Sequence, residues 1–66
     1  MNSQDFFEIW LQSALSERRE ARSLRRFARR HESSREMFLA SASRAYSRAL
    51  SDLRHARRFR SEIHAS

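Results

Sequence analysis

Cysteine, proline, glycine, valine, threonine and lysine are all missing from this 66-residue chain. Without cysteine there is no disulfide, no thiolate metal site and no cysteine nucleophile. Without glycine or proline the chain lacks the residues that most β-turns and hairpin loops rely on. Losing valine and threonine removes two of the best strand formers. An all-α fold is the one class that needs none of the missing residues. Long apolar runs are absent too. The N-terminal stretch MNSQDFFEIWLQSAL is interrupted by Asp5 and Glu8, far short of the ~20 consecutive apolar positions of a membrane helix. It also lacks the positive n-region of a signal peptide, and eight acidic residues argue against an organelle transit peptide. The expectation is an intracellular, cytoplasmic protein with no membrane partner.

What remains is heavily biased. All fourteen basic residues are Arg, against eight acidic ones, for a net charge of +6. Ser occurs twelve times and Ala nine. The length suits one domain, residues 1–66, near the lower limit at which a single core suffices. Arg-only usage has two readings. A GC-rich genome favours Arg codons, and bidentate contacts to phosphate or carboxylate need the guanidinium fork.

One segment reads as a boundary. In His31-Glu32-Ser33-Ser34-Arg35-Glu36, Ser33 and Glu36 have the S-x-x-E spacing of a capping box, found at no other Ser in the chain. Asn2 or Ser3 can cap a first helix, with Asp5 favouring the positive end of its dipole. The spacing predicts a helix over about 3–30, a turn at about 31–33 and a second helix over about 34–64.

Alanine then orients the two helices. Ala14, Ala21 and Ala28 recur every seven residues, as do Ala42, Ala49 and Ala56. Folding back near residue 35 sets Ala28 against Ala42, Ala21 against Ala49 and Ala14 against Ala56. The same register places Phe7 opposite Ile63, Leu24 opposite Tyr46 and Leu11 opposite Phe59. The expected fold is therefore an antiparallel two-helix hairpin with an Ala-rich heptad seam, its axes closely spaced because the seam residues are small.

A lone hairpin leaves apolar surface over. Helix two carries Phe38, Leu39, Ala42, Ala45, Tyr46, Ala49, Leu53, Ala56 and Ile63 on one broad face, whereas two helices in contact bury only one stripe each. Phe6, Ile9, Leu15, Phe27 and Phe38 are expected to stay partly exposed, and exposed apolar area on that scale marks an interface. A homodimer completing a four-helix bundle is the expected solution. A break near Ser16 that would make a third helix has no Gly, Pro or capping box behind it.

The charge is uneven. Asp5, Glu8 and Glu17 make the first seventeen residues acidic, while eight Arg crowd residues 18–35. Arg54, Arg57, Arg58 and Arg60 are expected to run beside the acidic N-terminal segment and be partly neutralised there. On helix one, Arg18, Arg22, Arg25 and Arg29 form one stripe, and Arg19, Arg26 and Arg30 an adjacent one. At i,i+3 and i,i+4 spacing only Arg29, with Glu32, has an acidic neighbour. Each like-charge pair costs roughly 0.2–0.5 kcal/mol, about 2 kcal/mol over the stripe. Ordinary solvated faces alternate in sign; this one does not.

The composition points to a small non-enzymatic regulatory protein that binds a polyanion. The nucleic-acid backbone is the leading target, through Arg18, Arg19, Arg22, Arg25, Arg26, Arg29 and Arg30 together with Arg44 and Arg48. No zinc-finger, homeodomain or RNA-recognition motif is present, and the face offers little beyond Arg for reading base edges. The alternative is a phage- or mobile-element-type inhibitor or adaptor gripping an acidic host protein. Phe6, Phe7, Ile9, Trp10, Leu11 and Leu15, with Phe27 and Phe38, would form its interface, with aromatic anchors of the kind that dominate binding energy. A membrane-surface role fits less well, because the most apolar segment is the acidic one. His31 is expected in the turn, His55 toward solvent and His64 at the frayed end. With no metal-ligand spacing and no pocket between two helices, the expectation is no enzyme, no cofactor, no metal and no small-molecule substrate.

Overall fold

The computed structural model describes residues 2–65; Met1 and Ser66, the ends of the expected domain, lie outside the described residues. Two helices, α1 (Ser3–Arg30) and α2 (Arg35–Ala65), pack antiparallel as a hairpin. The result is a rod of 52 × 14 × 13 Å. Its radius of gyration of 15.1 Å compares with about 11 Å for a globular domain of this length.

The start of α1 is built locally. Asn2 is extended and its side chain accepts from the Asp5 amide at 3.0 Å, while the Asp5 carboxylate accepts from the Asn2 amide at 3.3 Å. This reciprocal box satisfies two donors that a helix start leaves orphaned. The turn works differently from the predicted Ser33–Glu36 capping box, for which no hydrogen bond forms. His31 alone leaves helical geometry (φ −123°, ψ 79°), its amide still bonded to Phe27 O at 2.9 Å. Glu32–Ser34 then form one 3₁₀ turn, with Ser34 N–H donating to His31 O at 3.1 Å. Ser33 therefore lies inside a helical turn instead of holding the extended backbone that an N-cap requires. One extended residue followed by a tight turn needs no positive φ, and none occurs among the described residues. That is how the chain reverses without glycine.

Between the helices the buried residues are Ala14, Ala21 and Ala28 of α1 and Ala42, Ala45, Ala49 and Ala56 of α2. Among the described residues no large side chain is fully buried. Small residues let the axes approach, but the larger side chains are forced out to the two flanks, and there the register changes. Phe59 stacks on Phe6, its ring centroid 5.0 Å away, instead of pairing only with Leu11 as the seam register predicts. Tyr46 lies beneath the Arg25 guanidinium, 5.8 Å from its centre, rather than simply facing Leu24.

One flank is a ladder of pairs. Ser3 bonds Glu62 (3.1 Å), Phe6 stacks on Phe59, Trp10 on His55 (4.4 Å), and Ser13 Oγ donates to Asp52 at 2.6 Å. Arg48 then bridges Glu17 (3.1 Å) and Glu20 (3.5 Å), and Phe27 stacks on Phe38. His31 closes the turn end, 6.2 Å from Phe27 and 6.0 Å from Phe38. His55, placed toward solvent by its helical position, is exposed but rests its ring on Trp10. No helix among the described residues is long and apolar enough to cross a membrane.

Candidate polyanion interface

The arginines of α1 owe their arrangement to an uninterrupted helix. From Arg18 to Arg30 the axis advances about 18 Å at 1.5 Å per residue, and all seven guanidinium-bearing residues in that span are exposed. None of the seven has a carboxylate partner among the described residues. The ion pairs are Arg48 with Glu17 and Glu20, and Arg58 with Glu62. Arg26 donates to Ser23 Oγ at 3.2 Å and Arg25 covers the Tyr46 ring; both contacts leave the charge uncompensated. Seven charges over that length is one per about 2.6 Å, denser than the 3.4 Å phosphate spacing of a single nucleic-acid strand.

The flank opposite the ladder carries this charge in relief. A shallow groove of about 180 Å³ is lined by Arg18, Ala21, Arg22, Arg25 and Tyr46. A second, of about 240 Å³, lies among Leu15, Arg18, Arg19 and Arg22. A third, round on the ladder side of α1, runs between Arg26 and Arg30 beside Ser23 and Phe27. Each open concavity therefore presents two or three guanidinium groups, whose forked donors match phosphate or carboxylate oxygens.

Not every expected basic residue joins this face. Arg48 lies on the ladder flank, held by Glu17 and Glu20. Arg44, one helical turn before Arg48, donates to Ser41 Oγ at 3.0 Å and shares its side of α2. Neither is brought onto the α1 stripe. The predicted neutralisation of the N-terminal acids also takes another form. No ion pair joins Arg54, Arg57, Arg58 or Arg60 to Asp5, Glu8 or Glu17; Glu8 accepts from Gln4 at 3.0 Å instead. Arg48 draws Glu17 and Glu20, the two acids nearest the stripe in sequence, to the far flank. Neither acid has a stripe Arg three or four positions away in α1, so the stripe is left without counter-charge.

The expected apolar interface divides similarly. Ile9 (50% exposed) and Phe27 (47%) are open, and Phe6 only marginally so; Phe7, Trp10, Leu11, Leu15 and Phe38 are half-buried. The Phe6, Trp10, Phe27 and Phe38 rings are engaged in the ladder. More apolar surface is open on α2. Leu39 and Tyr46, on the broad apolar face of α2, are 42% and 43% exposed, and Leu50 is 45% exposed. The all-alanine contact explains this: a seam of methyl groups covers a narrow strip and leaves residues one step round the helix uncovered. The signal was readable as a second period, since 39, 46, 50 and 53 follow heptad spacing along α2.

Among the described residues no cluster of three His, Cys, Asp or Glu side chains is placed to hold a metal. Fold and surface together define an alanine-cored helical hairpin with one strongly cationic face. Comparison with protein-family models, with curated proteins and with solved structures found no match in any of the three.

Proposed function

We propose that this chain is a small non-enzymatic regulator that binds a nucleic-acid backbone through the arginine face of α1, as a homodimer of hairpins. The observation that carries the reading is the unneutralised stripe, Arg18 to Arg30, whose neighbouring acids are held on the opposite flank by Arg48. Such a face costs helix stability in isolation and recovers it when phosphates supply the missing charge. Recognition through Arg alone, with no Asn or Gln within the stripe from Arg18 to Arg30 to read adenine edges, is recognition of backbone and shape.

Surface area supports the dimer. The single chain exposes 5343 Å², whereas a folded monomer of 7.9 kDa exposes about 4,400 Å². The difference, about 900 Å², matches one partner's share of a standard interface, about 800 Å². Docking on an acidic protein surface is the second reading, favoured by the same stripe with Ile9 and Phe6 at its N-terminal end. Its aromatic anchors are already stacked within the hairpin, which lowers their value to a partner.

Fluorescence anisotropy on labelled random duplexes of DNA and RNA between 50 and 200 mM salt tests the proposal. A stripe about 18 Å long covers about five phosphates of one strand, so log K should fall against log salt with a slope of about −4.5 per stripe. Replacing Arg22, Arg25 and Arg29 together by Glu should abolish binding. Absence of binding to both duplexes at the lowest salt, with binding to a polyacidic protein retained, would transfer the stripe to the second reading.

A further inference from the structure

The apolar residues of α2 that the seam leaves uncovered form a stripe of their own. Leu39, Tyr46 and Leu50 are each more than two-fifths exposed, and Leu53, next along the same line, is half-buried. Ser43 is the one polar position between them. The stripe ends in charge of opposite sign: Glu32 and Glu36 at the turn end, Arg57 and Arg60 at the far end. All four are exposed, and none forms an ion pair among the described residues.

We infer that the occupant of this stripe is α2 of a second copy, running antiparallel about a two-fold axis at Tyr46. About that axis Leu39 faces the partner's Leu53, Tyr46 faces its own equivalent, and Leu50 covers Ser43. Glu36 then meets the partner's Arg57, and Glu32 the partner's Arg60. Every contact but the Tyr46 self-pair on the axis occurs twice, as an isologous interface requires. Parallel pairing would instead set acid on acid and Arg on Arg. The contact is confined to α2. Arg18, Arg22 and Arg25 share the Tyr46 groove, so closing the two α1 helices together on this side would set guanidinium groups against each other. The four helices thus form an open layer, α1–α2–α2–α1, in which Arg18, Arg22 and Arg25 border the contact beside Tyr46 and Arg19, Arg26, Arg29 and Arg30 stay free on the outer helices.

This inference rests on the dimeric part of the proposed function and not on its nucleic-acid part. Sedimentation of the unmodified chain reads the dimer; charge exchange and a single cysteine read the face. Glu36→Arg and Arg57→Glu should each weaken self-association by on the order of tenfold. An equimolar mixture of the two variants should restore it, because the mixed dimer regains both opposite-charge pairs. The chain has no cysteine of its own, so Tyr46→Cys should oxidise to a covalent dimer, while Ser51→Cys, well round the helix from the stripe, should not. A dimer that mixing fails to restore and Tyr46→Cys fails to link would overturn the α2 pairing and leave the dimer standing. A monomer at on the order of 100 µM would overturn both.

Discussion

Replacing one seam alanine by leucine is the sharpest probe of the hairpin. Ala21 and Ala49 are both buried, each near the middle of its helix. Leucine at position 21 adds three carbons where none can be placed without separating the helices. Helices in contact stand 8–10 Å apart according to the side chains between them, and an alanine seam holds them at the short end. Forcing extra methylenes into such a contact costs about 1–3 kcal/mol. For a chain of this size each kcal/mol lowers the melting temperature by about 4–8 °C, so Ala21→Leu should melt at least about 4 °C lower. Circular dichroism at 222 nm, at matched protein concentration because any self-association would shift the transition, is the measurement. Ala40→Leu is the control. Ala40 is exposed on α2, and leucine is nearly as good a helix former as alanine, so its effect should stay within about 0.5 kcal/mol. If Ala21→Leu melts with the control, or above the unmodified protein, the helices are not held together by close alanine contact and the packing argument fails.

Two further outcomes follow from particular hydrogen bonds and ion pairs. Asn2→Ala removes a reciprocal cap and should cost about 1 kcal/mol, whereas Ser33→Ala, which breaks no capping bond, should change the melt by less than about 0.5 kcal/mol; equal losses would restore the Ser33 box. Arg22→Gln should reduce the salt slope of duplex binding by about 0.9. Arg48→Gln should leave that slope unchanged and cost no more than about 1 kcal/mol of stability, Arg48 itself being exposed in both ion pairs; a matching drop in slope would put Arg48 in the binding face.

The parts of the fold that were legible in the sequence are those governed by local preference and period. Missing turn formers and strand formers leave only helices, and the two alanine series set which faces meet. The reversal at residues 31–34 was legible as a position but not as a device. Whether Ser33 caps or lies inside a 3₁₀ turn depends on backbone hydrogen bonds that His31 makes possible by leaving helical geometry. How much of Leu39 and Tyr46 is covered was not legible for a related reason. A helical wheel reports how apolar residues cluster, and the width of the strip actually covered depends on the size of the side chains across the seam.

By itself, then, the sequence determined a helical hairpin with an alanine core and an arginine-dense α1, because each of these follows from residue type and spacing along one chain. Only the tertiary structure decided which arginines remain unpaired. Helical spacing gives Glu17 and Glu20 no Arg of α1 three or four positions away, but it does not reveal that Arg48, thirty-one residues beyond Glu17, reaches both across the hairpin. That pairing arises because large side chains splay from an alanine seam and meet on the flanks in a shifted register. The same splay holds the acids on one side of the rod and leaves the stripe bare on the other.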